Sequence, residues 1–138
     1  MTLIFDTNVL FASLNRDDRN HLPCLKLYES RSDTRIVPAP VLVELDHFIR
    51  RDLGRQVHAT FLCDIIDGAF FIEPLMPSDY VRIRQVCSKY SDMDLGFVDA
   101  SIVAIAERLN EPRIATLDHR HFRAIRPRHV DAFQLLPE

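Results

Sequence analysis

The sequence predicts an α/β fold in which helices cover both faces of a mainly parallel sheet. Short apolar runs alternate along the chain with longer segments of helical spacing. These runs are apolar throughout, which is typical of strands buried on both faces. The chain has 138 residues, 47% hydrophobic and 27% charged, with three glycines, which is the size and composition of a single domain. We therefore expect one domain over residues 1–138.

The first elements are read from their composition and capping residues. Residues 2–6, TLIFD, form a β-rich run that ends in a carboxylate. Residues 7–14 have helical spacing, with Thr7 or Asn8 as the expected N-cap. A second helix is predicted over 22–31, and a short strand over 34–37.

The middle of the chain contains two helices and one strand. A helix over 38–53 opens with proline and ends near Gly54, which is a common helix terminator. The helix over 55–67 is closed in the same way by a glycine, and the apolar run 69–74 follows it as a strand.

The last third begins with a capped amphipathic helix over 77–90. The next helix, over 95–109, is apolar on almost every side, which indicates burial. Residues 113–118 form a strand that again ends in Asp, and 132–137 form the last strand.

Asp99 is an unexpected residue for this buried helix. On a helical wheel it shares its face with Leu95, Ile102 and Ala106, and an isolated buried carboxylate costs several kcal/mol. Glu44 has a similar position at the edge of an apolar stripe. A capping bond, an Arg partner or incomplete burial could explain either acid by itself.

Two further acids, Asp6 and Asp118, stand at predicted strand ends. Ligands of parallel α/β sheets bind at the carboxyl ends of the strands, near the point where the strand order reverses. If Asp6, Glu44, Asp99 and Asp118 converge there, their mutual repulsion favours protonation unless a divalent cation is bound. Hard cations such as Mg²⁺ and Mn²⁺ prefer carboxylate oxygens, and acidic metal pockets hydrolyse phosphodiesters.

Four stretches carry a resemblance to a known family: FDTNVLFA (5–12), VLVELDHFI (41–49), YSDMDLGFVDASIVAIAERL (90–109) and RIATLDHRHFRAIRP (113–127). They resemble PIN-domain proteins, and more narrowly the VapC-type toxins of bacterial toxin–antitoxin pairs. The resemblance implies a three-layer α/β/α sandwich and an endoribonuclease that depends on Mg²⁺, for which Mn²⁺ may substitute. It also implies a homodimer that a small VapB-type antitoxin inhibits.

The resemblance also assigns roles to residues. The acidic quartet of the family falls on Asp6, Glu44, Asp99 and Asp118, with Asp6 and Asp99 as the principal metal ligands. Asn8 and Thr116 would orient water or phosphate. Asp94 and Asp92 are nearby acids that could lie at the rim, although a loop position before the buried helix is the simpler interpretation.

The charge distribution suggests where RNA could bind. The net charge is −3, which does not indicate a nucleic-acid-binding protein. Basic residues nevertheless cluster between 112 and 130, and the candidates for RNA backbone contacts are Arg113, Arg120, Arg123 and Arg126. For any one of them a solvated surface is the simpler interpretation, and an Arg-rich segment does not distinguish RNA from DNA.

Other features argue against competing kinds of site. Cys24, Cys63 and Cys87 are widely spaced, which favours reduced, buried thiols in a cytoplasmic protein over a zinc or disulfide framework. The pair His119 and His121 is too weak a pattern to predict a metal site. No uncharged stretch is long enough for a membrane span, and the amino terminus lacks the pattern of a signal peptide.

Three alternatives remain open at this level. A phosphorylatable receiver domain is also a small α/β protein with acids at strand ends, but it needs a lysine at a strand end, and Lys26 and Lys89 fall in predicted helices. A PIN-like module that binds RNA or protein without cleaving is the second alternative, disfavoured because all four acids are present. The third is a PIN nuclease that acts on DNA instead of RNA, or one that acts without an antitoxin.

Overall fold

The fold is built on one five-stranded sheet. The computed structural model describes residues 1–30 and 32–138. All strand pairs are parallel, and the spatial order is β3-β2-β1-β4-β5. The parallel sheet predicted from the apolar runs is therefore confirmed. Its strands are β1 (Thr2–Phe5), β2 (Thr34–Pro38), β3 (Phe71–Glu73), β4 (Arg113–Ala115) and β5 (Gln134–Leu136).

The helices flank this sheet and agree with the predicted sandwich. Helix α1 packs on α2 and α3, α3 packs on α4, and α5 packs on α6. The predicted end of the second helix, at Arg31, lies outside the described residues. The helices are α1 (Thr7–Leu14), α2 (His21–Glu29), α3 (Ala39–Asp52), α4 (Gly54–Ile66), α5 (Pro77–Lys89), α6 (Phe97–Arg108) and α7 (His119–Ala124).

Helix α6 is the most deeply buried helix of the core. Its residues 100–106 are all buried, as the apolar sequence predicts. Each fully buried Ile or Val contributes roughly 1.5–3 kcal/mol to stability. An ion network fixes α6 to its surroundings: the guanidinium of Arg108 contacts Glu73 at 2.8 Å and the buried Asp79 at 3.0 Å.

Two local predictions need correction. The N-cap of α1 is Asp6, not Thr7 or Asn8, because the Asp6 carboxylate accepts a hydrogen bond from the Thr7 backbone N–H. Helix α7 was not predicted at all. It is only six residues long, and its cap is Asp118, whose side chain accepts from the backbone N–H of His121.

The strand order places its reversal between β1 and β4. The chain moves outwards from β1 to β2 and β3, and then returns to the other side of β1. Asp6 directly follows β1, and its backbone N–H donates to the Ala115 carbonyl of β4 at 2.8 Å. The segment that leads to Asp118 begins just after this contact. The carboxyl ends of the two central strands therefore form the floor of one depression.

The described part of the chain has no helix with the length and apolar character needed to cross a membrane. All three cysteines are free. Cys24 is buried as predicted, whereas Cys87 is half-buried and Cys63 is exposed on α4, so the expectation of buried thiols is wrong for Cys63.

Candidate active site

A cavity of about 380 Å³ opens at the carboxyl ends of β1 and β4. All four acids singled out in the sequence line it, although they come from four different elements. A fifth acid and a single arginine lie with them. The described lining residues are Asp6, Thr7, Asn8, Phe11, Asp18, Glu44, Phe48, Arg51, Asp99, Leu117 and Asp118.

Asp6 lies at the bottom of the cavity and is 4% exposed. Its Oδ1 accepts from the Thr7 backbone N–H at 2.7 Å, and its Oδ2 accepts from the Thr116 hydroxyl at 2.8 Å. Burial, and secondly the charge of Asp99, raise the pKa of Asp6 to about 7, although both hydrogen bonds act in the opposite direction. The fold therefore holds Asp6 in one orientation despite an unfavourable electrostatic environment.

Thr116 connects the two central strands through its hydroxyl group. The hydroxyl donates to Asp6 and accepts from the backbone N–H of Asp118 at 3.0 Å. The amide of Asn8 lies 3.5 Å from the same hydroxyl, and its carbonyl oxygen accepts from the Leu117 backbone N–H at 3.0 Å. Asn8 and Thr116 therefore fix the loop after β4 relative to α1, which sets the position of Asp118.

Asp99 enters the cavity from the first turn of α6. Burial, followed by the charges of Asp118 and Glu44, raises its pKa to about 6, while His121 acts in the opposite direction. Glu44 approaches from α3 and also raises the pKa of Asp6. Carboxylates from four elements therefore repel one another in this cavity.

His121 is a part of this site that the sequence did not predict. Its Nδ1 lies 2.6 Å from Asp118 Oδ2, one turn along α7. One ring nitrogen of His121 and one carboxylate oxygen each of Asp99 and Asp118 lie within 4.8 Å of one another. The informative spacing is the three residues from Asp118 to His121, which places both side chains on the same side of α7.

The donor set of the cavity fits a hard divalent cation. Carboxylate oxygens are the preferred ligands of Mg²⁺ and Mn²⁺, and a cation would offset the repulsion that raises the pKa values of Asp6 and Asp99. The hydroxyl of Thr7 supports this fit. Thr7 lines the cavity, and its buried hydroxyl has no hydrogen-bond partner among the described residues, so its hydrogen-bonding capacity is unused in the metal-free protein.

Several predicted residues do not line the cavity. Asp92 and Asp94 are exposed in the segment between α5 and α6. Arg113 is the first residue of β4, so it lies at the opposite edge of the sheet from the acids. Its guanidinium donates to the Thr2 carbonyl and pairs with Asp33 at 2.8 Å, and its side chain is 11% exposed. Arg113 therefore makes structural contacts away from the acids, and its contact with RNA stays a prediction.

The other three arginines are exposed. Arg120 and Arg123 are on α7, two and five residues beyond Asp118, and Arg126 follows the helix. None of the three is part of the cavity wall, and they stay predictions for RNA contacts outside it.

Asp18 and Arg51 are lining residues that sequence reasoning missed. Asp18 lies between α1 and α2, where no periodicity marks it. Arg51 could have been found, because it lies seven residues after Glu44 on the same helix and therefore shares its face.

Comparisons with known proteins agree with this geometry. The chain is 28% identical over 135 residues to Ribonuclease VapC26 of Mycobacterium tuberculosis, a match that covers 98% of this chain and 100% of the relative. Two solved structures share the fold at 17% identity. VapC20 of M. tuberculosis, described as a toxin that cleaves the sarcin–ricin loop, has a TM-score of 0.74 over 81% of this chain and 86% of that chain.

The second structure is VapBC2 from Rickettsia felis, bound to a DNA fragment from their promoter. Its TM-score is 0.70, and the match covers 98% of both chains. A family model described as the PIN domain matches residues 3–126. Since this match includes β1 to β4 and every acid that lines the cavity, the chain belongs to the PIN domain family.

Proposed function

We propose that this chain is a metal-dependent endoribonuclease and the toxin of a VapBC-type toxin–antitoxin pair, with residues 1–138 acting as one nuclease domain. The observation that carries the proposal is the convergence of Asp6, Glu44, Asp99 and Asp118 in one cavity at the reversal of strand order. The relative named Ribonuclease VapC26 supports RNA as the substrate.

We further propose Mg²⁺ as the cofactor, for which Mn²⁺ can substitute, with Asp6 and Asp99 as principal ligands and Glu44 and Asp118 completing the site. When bound, the metal would lower the pKa of the attacking water and stabilise negative charge on the phosphoryl oxygens. This chemistry needs no Ser, Cys or His nucleophile.

Other groups of the site orient the carboxylates of Asp6 and Asp118 before substrate binds. The Thr116 hydroxyl and the Thr7 backbone N–H hold both oxygens of Asp6, so this carboxylate is oriented before substrate binds. The contact from Asp118 Oδ2 to His121 Nδ1 restricts the second strand-end carboxylate in the same way. One carboxylate would accept a proton from the water as it attacks phosphorus in line, and the bond between phosphorus and the 3′ oxygen would break. The departing 3′ oxygen would take a proton from solvent water to become a hydroxyl, and the other product would carry a 5′ phosphate.

The proposal is tested by cleavage of end-labelled RNA in Mg²⁺, Mn²⁺ and EDTA. Asp6→Asn, Glu44→Gln, Asp99→Asn and Asp118→Asn should each lower the rate at least about 100-fold. Asp92→Asn removes an exposed acid just before α6 and serves as the matched control, with activity equal to the wild type. Cleavage that survives EDTA, or that survives all four substitutions, would contradict the proposed chemistry.

The same assay separates the alternatives. A folded wild type that binds RNA without cutting it would make this chain a binding module, and preferential cleavage of single-stranded DNA would change the substrate. The receiver-domain alternative has no support in the cavity, because Lys26 and Lys89 lie on α2 and α5 and do not line it. Acetyl phosphate treatment followed by intact mass measurement should therefore give no phosphoprotein.

We propose that a VapB-type antitoxin binds the groove between α1, α2 and α4. This groove has a volume of about 680 Å³, and its apolar wall includes Leu14, Leu25, Leu53 and Val57. The solved relatives include a VapBC2 complex. Much of the apolar surface on α1 and α3 is core, whereas this groove is open to a partner. Co-purification with the product of a short neighbouring reading frame tests this, and a stand-alone nuclease is the outcome if no such partner binds.

We propose that a second copy of the chain covers another apolar surface, next to the catalytic cavity. Val43, Tyr80 and Phe97 are 73%, 53% and 49% exposed and surround a groove of about 760 Å³. A homodimer in the cytoplasm would remove this surface from water. Light scattering after size-exclusion chromatography should give a molar mass of two chains for the wild type and of one chain for Val43→Glu.

A further inference from the structure

Arg51 is the one cationic side chain among the described residues that line the catalytic cavity. Five carboxylates line the same cavity, including Asp18, which is not one of the four metal ligands proposed above. A phosphodiester that enters therefore meets strong negative potential everywhere except near a bound cation and near Arg51. This charge imbalance makes Arg51 the natural contact for an anionic substrate.

Helix α3 places Arg51 in the cavity through its register. Glu44, Phe48 and Arg51 are spaced i, i+4 and i+7, so they form one row along the helix. The Arg51 Cζ lies 5.0 Å from the centre of the Phe48 ring, and Phe48 itself lines the cavity. Stacking on this ring limits the directions in which the guanidinium can point.

The current partner of Arg51 is easy to exchange. Its Nε and Nη2 atoms donate to the two carboxylate oxygens of Asp52 at 2.9 and 2.8 Å. Both side chains are exposed, at 58% and 39%. Exposed ion pairs of this kind are weak, and a phosphate presents the same two-oxygen geometry to the guanidinium as a carboxylate does. The Nη1 group makes no hydrogen bond within the described residues and remains available.

We propose that Arg51 binds a backbone phosphate of the RNA at the mouth of the cavity, with Asp52 as a competing anion that the phosphate displaces. This inference rests on the proposed nuclease function, because it assumes a single-stranded RNA substrate. Arg51 is a binding and positioning residue for the strand, whereas the acids carry the chemistry.

Binding is measured with a fluorescein-labelled 12-nucleotide single-stranded RNA, by anisotropy in EDTA, over a series of salt concentrations. Arg51→Ala should weaken binding by about fivefold to tenfold and reduce the slope of log K against log salt by about 0.7. Arg51→Lys should recover only part of the affinity, because an ammonium cannot make the two-pronged contact. Asp52→Asn should tighten binding by about twofold to threefold, because it removes the competitor.

Arg50→Ala is the matched control. Arg50 is the preceding residue of the same helix, its side chain is 66% exposed, and it does not line the cavity. It should leave both the affinity and the salt slope unchanged. Equal effects of Arg50→Ala and Arg51→Ala would overturn the proposal, and so would an Asp52→Asn protein that binds RNA as weakly as Arg51→Ala.

Steady-state cleavage in Mg²⁺ distinguishes this inference from the function on which it rests. Arg51→Ala should raise KM more than it lowers kcat. If the wild type binds the 12-mer but never cleaves RNA, the proposed function fails while the Kd comparison still decides the role of Arg51. If the wild type cleaves and Arg51→Ala has unchanged KM and Kd, the inference fails while the proposed function stands.

Discussion

Replacing Asp99 by Asn should stabilise the metal-free protein at neutral and alkaline pH. The substitution keeps the shape of the side chain and removes its charge from a cavity that already contains the carboxylates of Asp6, Glu44 and Asp118. Asp99 accepts no hydrogen bond in the described structure that Asn would lose, whereas Asp6 caps α1 and accepts from Thr116. Asp99 is therefore the acid at which the electrostatic cost can be measured with the least structural disturbance.

The magnitude follows from the pKa of Asp99, which is about 6 in the folded protein and 3.8 without the fold. The folded state therefore binds this proton more tightly than the unfolded state does. The free energy of unfolding is highest when Asp99 is protonated in both states, below about pH 4, and this contribution is lost as pH rises through 6. The difference corresponds to about 3 kcal/mol at pH 8, since each pH unit is about 1.36 kcal/mol. Because solvent still reaches part of the carboxylate, we reduce this to about 1–2 kcal/mol.

The assay is urea unfolding of the Asp99→Asn and wild-type proteins in EDTA at pH 5 and pH 8. We expect a gain of about 1–2 kcal/mol for the variant at pH 8 and about half of that at pH 5. Asp92→Asn, an exposed acid, should change neither value. Saturating Mg²⁺ should reverse the order, because only the wild type keeps its full metal affinity. A variant that is less stable in EDTA at pH 8, or equally affected at both pH values, would refute the reasoning.

Three other perturbations examine the supports of the site. Thr116→Val removes the hydroxyl that donates a hydrogen bond to Asp6. The free energy of unfolding should fall by about 1–2 kcal/mol, and the pKa of Asp6 should rise further. An unchanged unfolding midpoint in urea would contradict this. Arg108→Met leaves the buried Asp79 without its ion pair. The free energy of unfolding, measured by thermal unfolding, should fall by about 3 kcal/mol, and a fall below about 1 kcal/mol would show that the ion pair is dispensable. His121→Ala frees the neighbouring strand-end acid and should weaken Mn²⁺ binding by about tenfold in titration calorimetry, whereas unchanged affinity would exclude a supporting role.

The fold could be predicted from the sequence because several independent features indicate each of its main strands and helices. Every strand of the sheet is an apolar run bounded by turn or helix signals, and the buried helix α6 is apolar on almost all sides. Helix α7 lacked such redundancy. Residues 119–124 contain two histidines and two arginines, and a helix of six residues is too short to display a period. Its formation depends on the cap at Asp118, which the pattern of the helix itself does not reveal.

The positions of the acids were predictable, but the positions of the cations were not. Asp6 and Asp118 follow adjacent central strands, and parallel strands bring their carboxyl ends to the same edge. The same rule, applied to Arg113, would have placed it at the opposite edge, because it begins a strand that Asp118 follows. Composition alone had grouped Arg113 with the exposed arginines after it, and the strand direction was the decisive information.

Arg51 and His121 are both related to a predicted acid by helical spacing. Each lies on the same face as a predicted acid, seven residues after Glu44 in one case and three residues after Asp118 in the other. The carboxylates of such a cavity repel one another and an anionic substrate, and cationic groups near them offset part of this repulsion in addition to a bound metal. Residues one or two turns from a predicted acid on the same helix are therefore candidates for such groups. In this chain the two helices supply a guanidinium at the mouth of the cavity and an imidazole beside its strand-end acid.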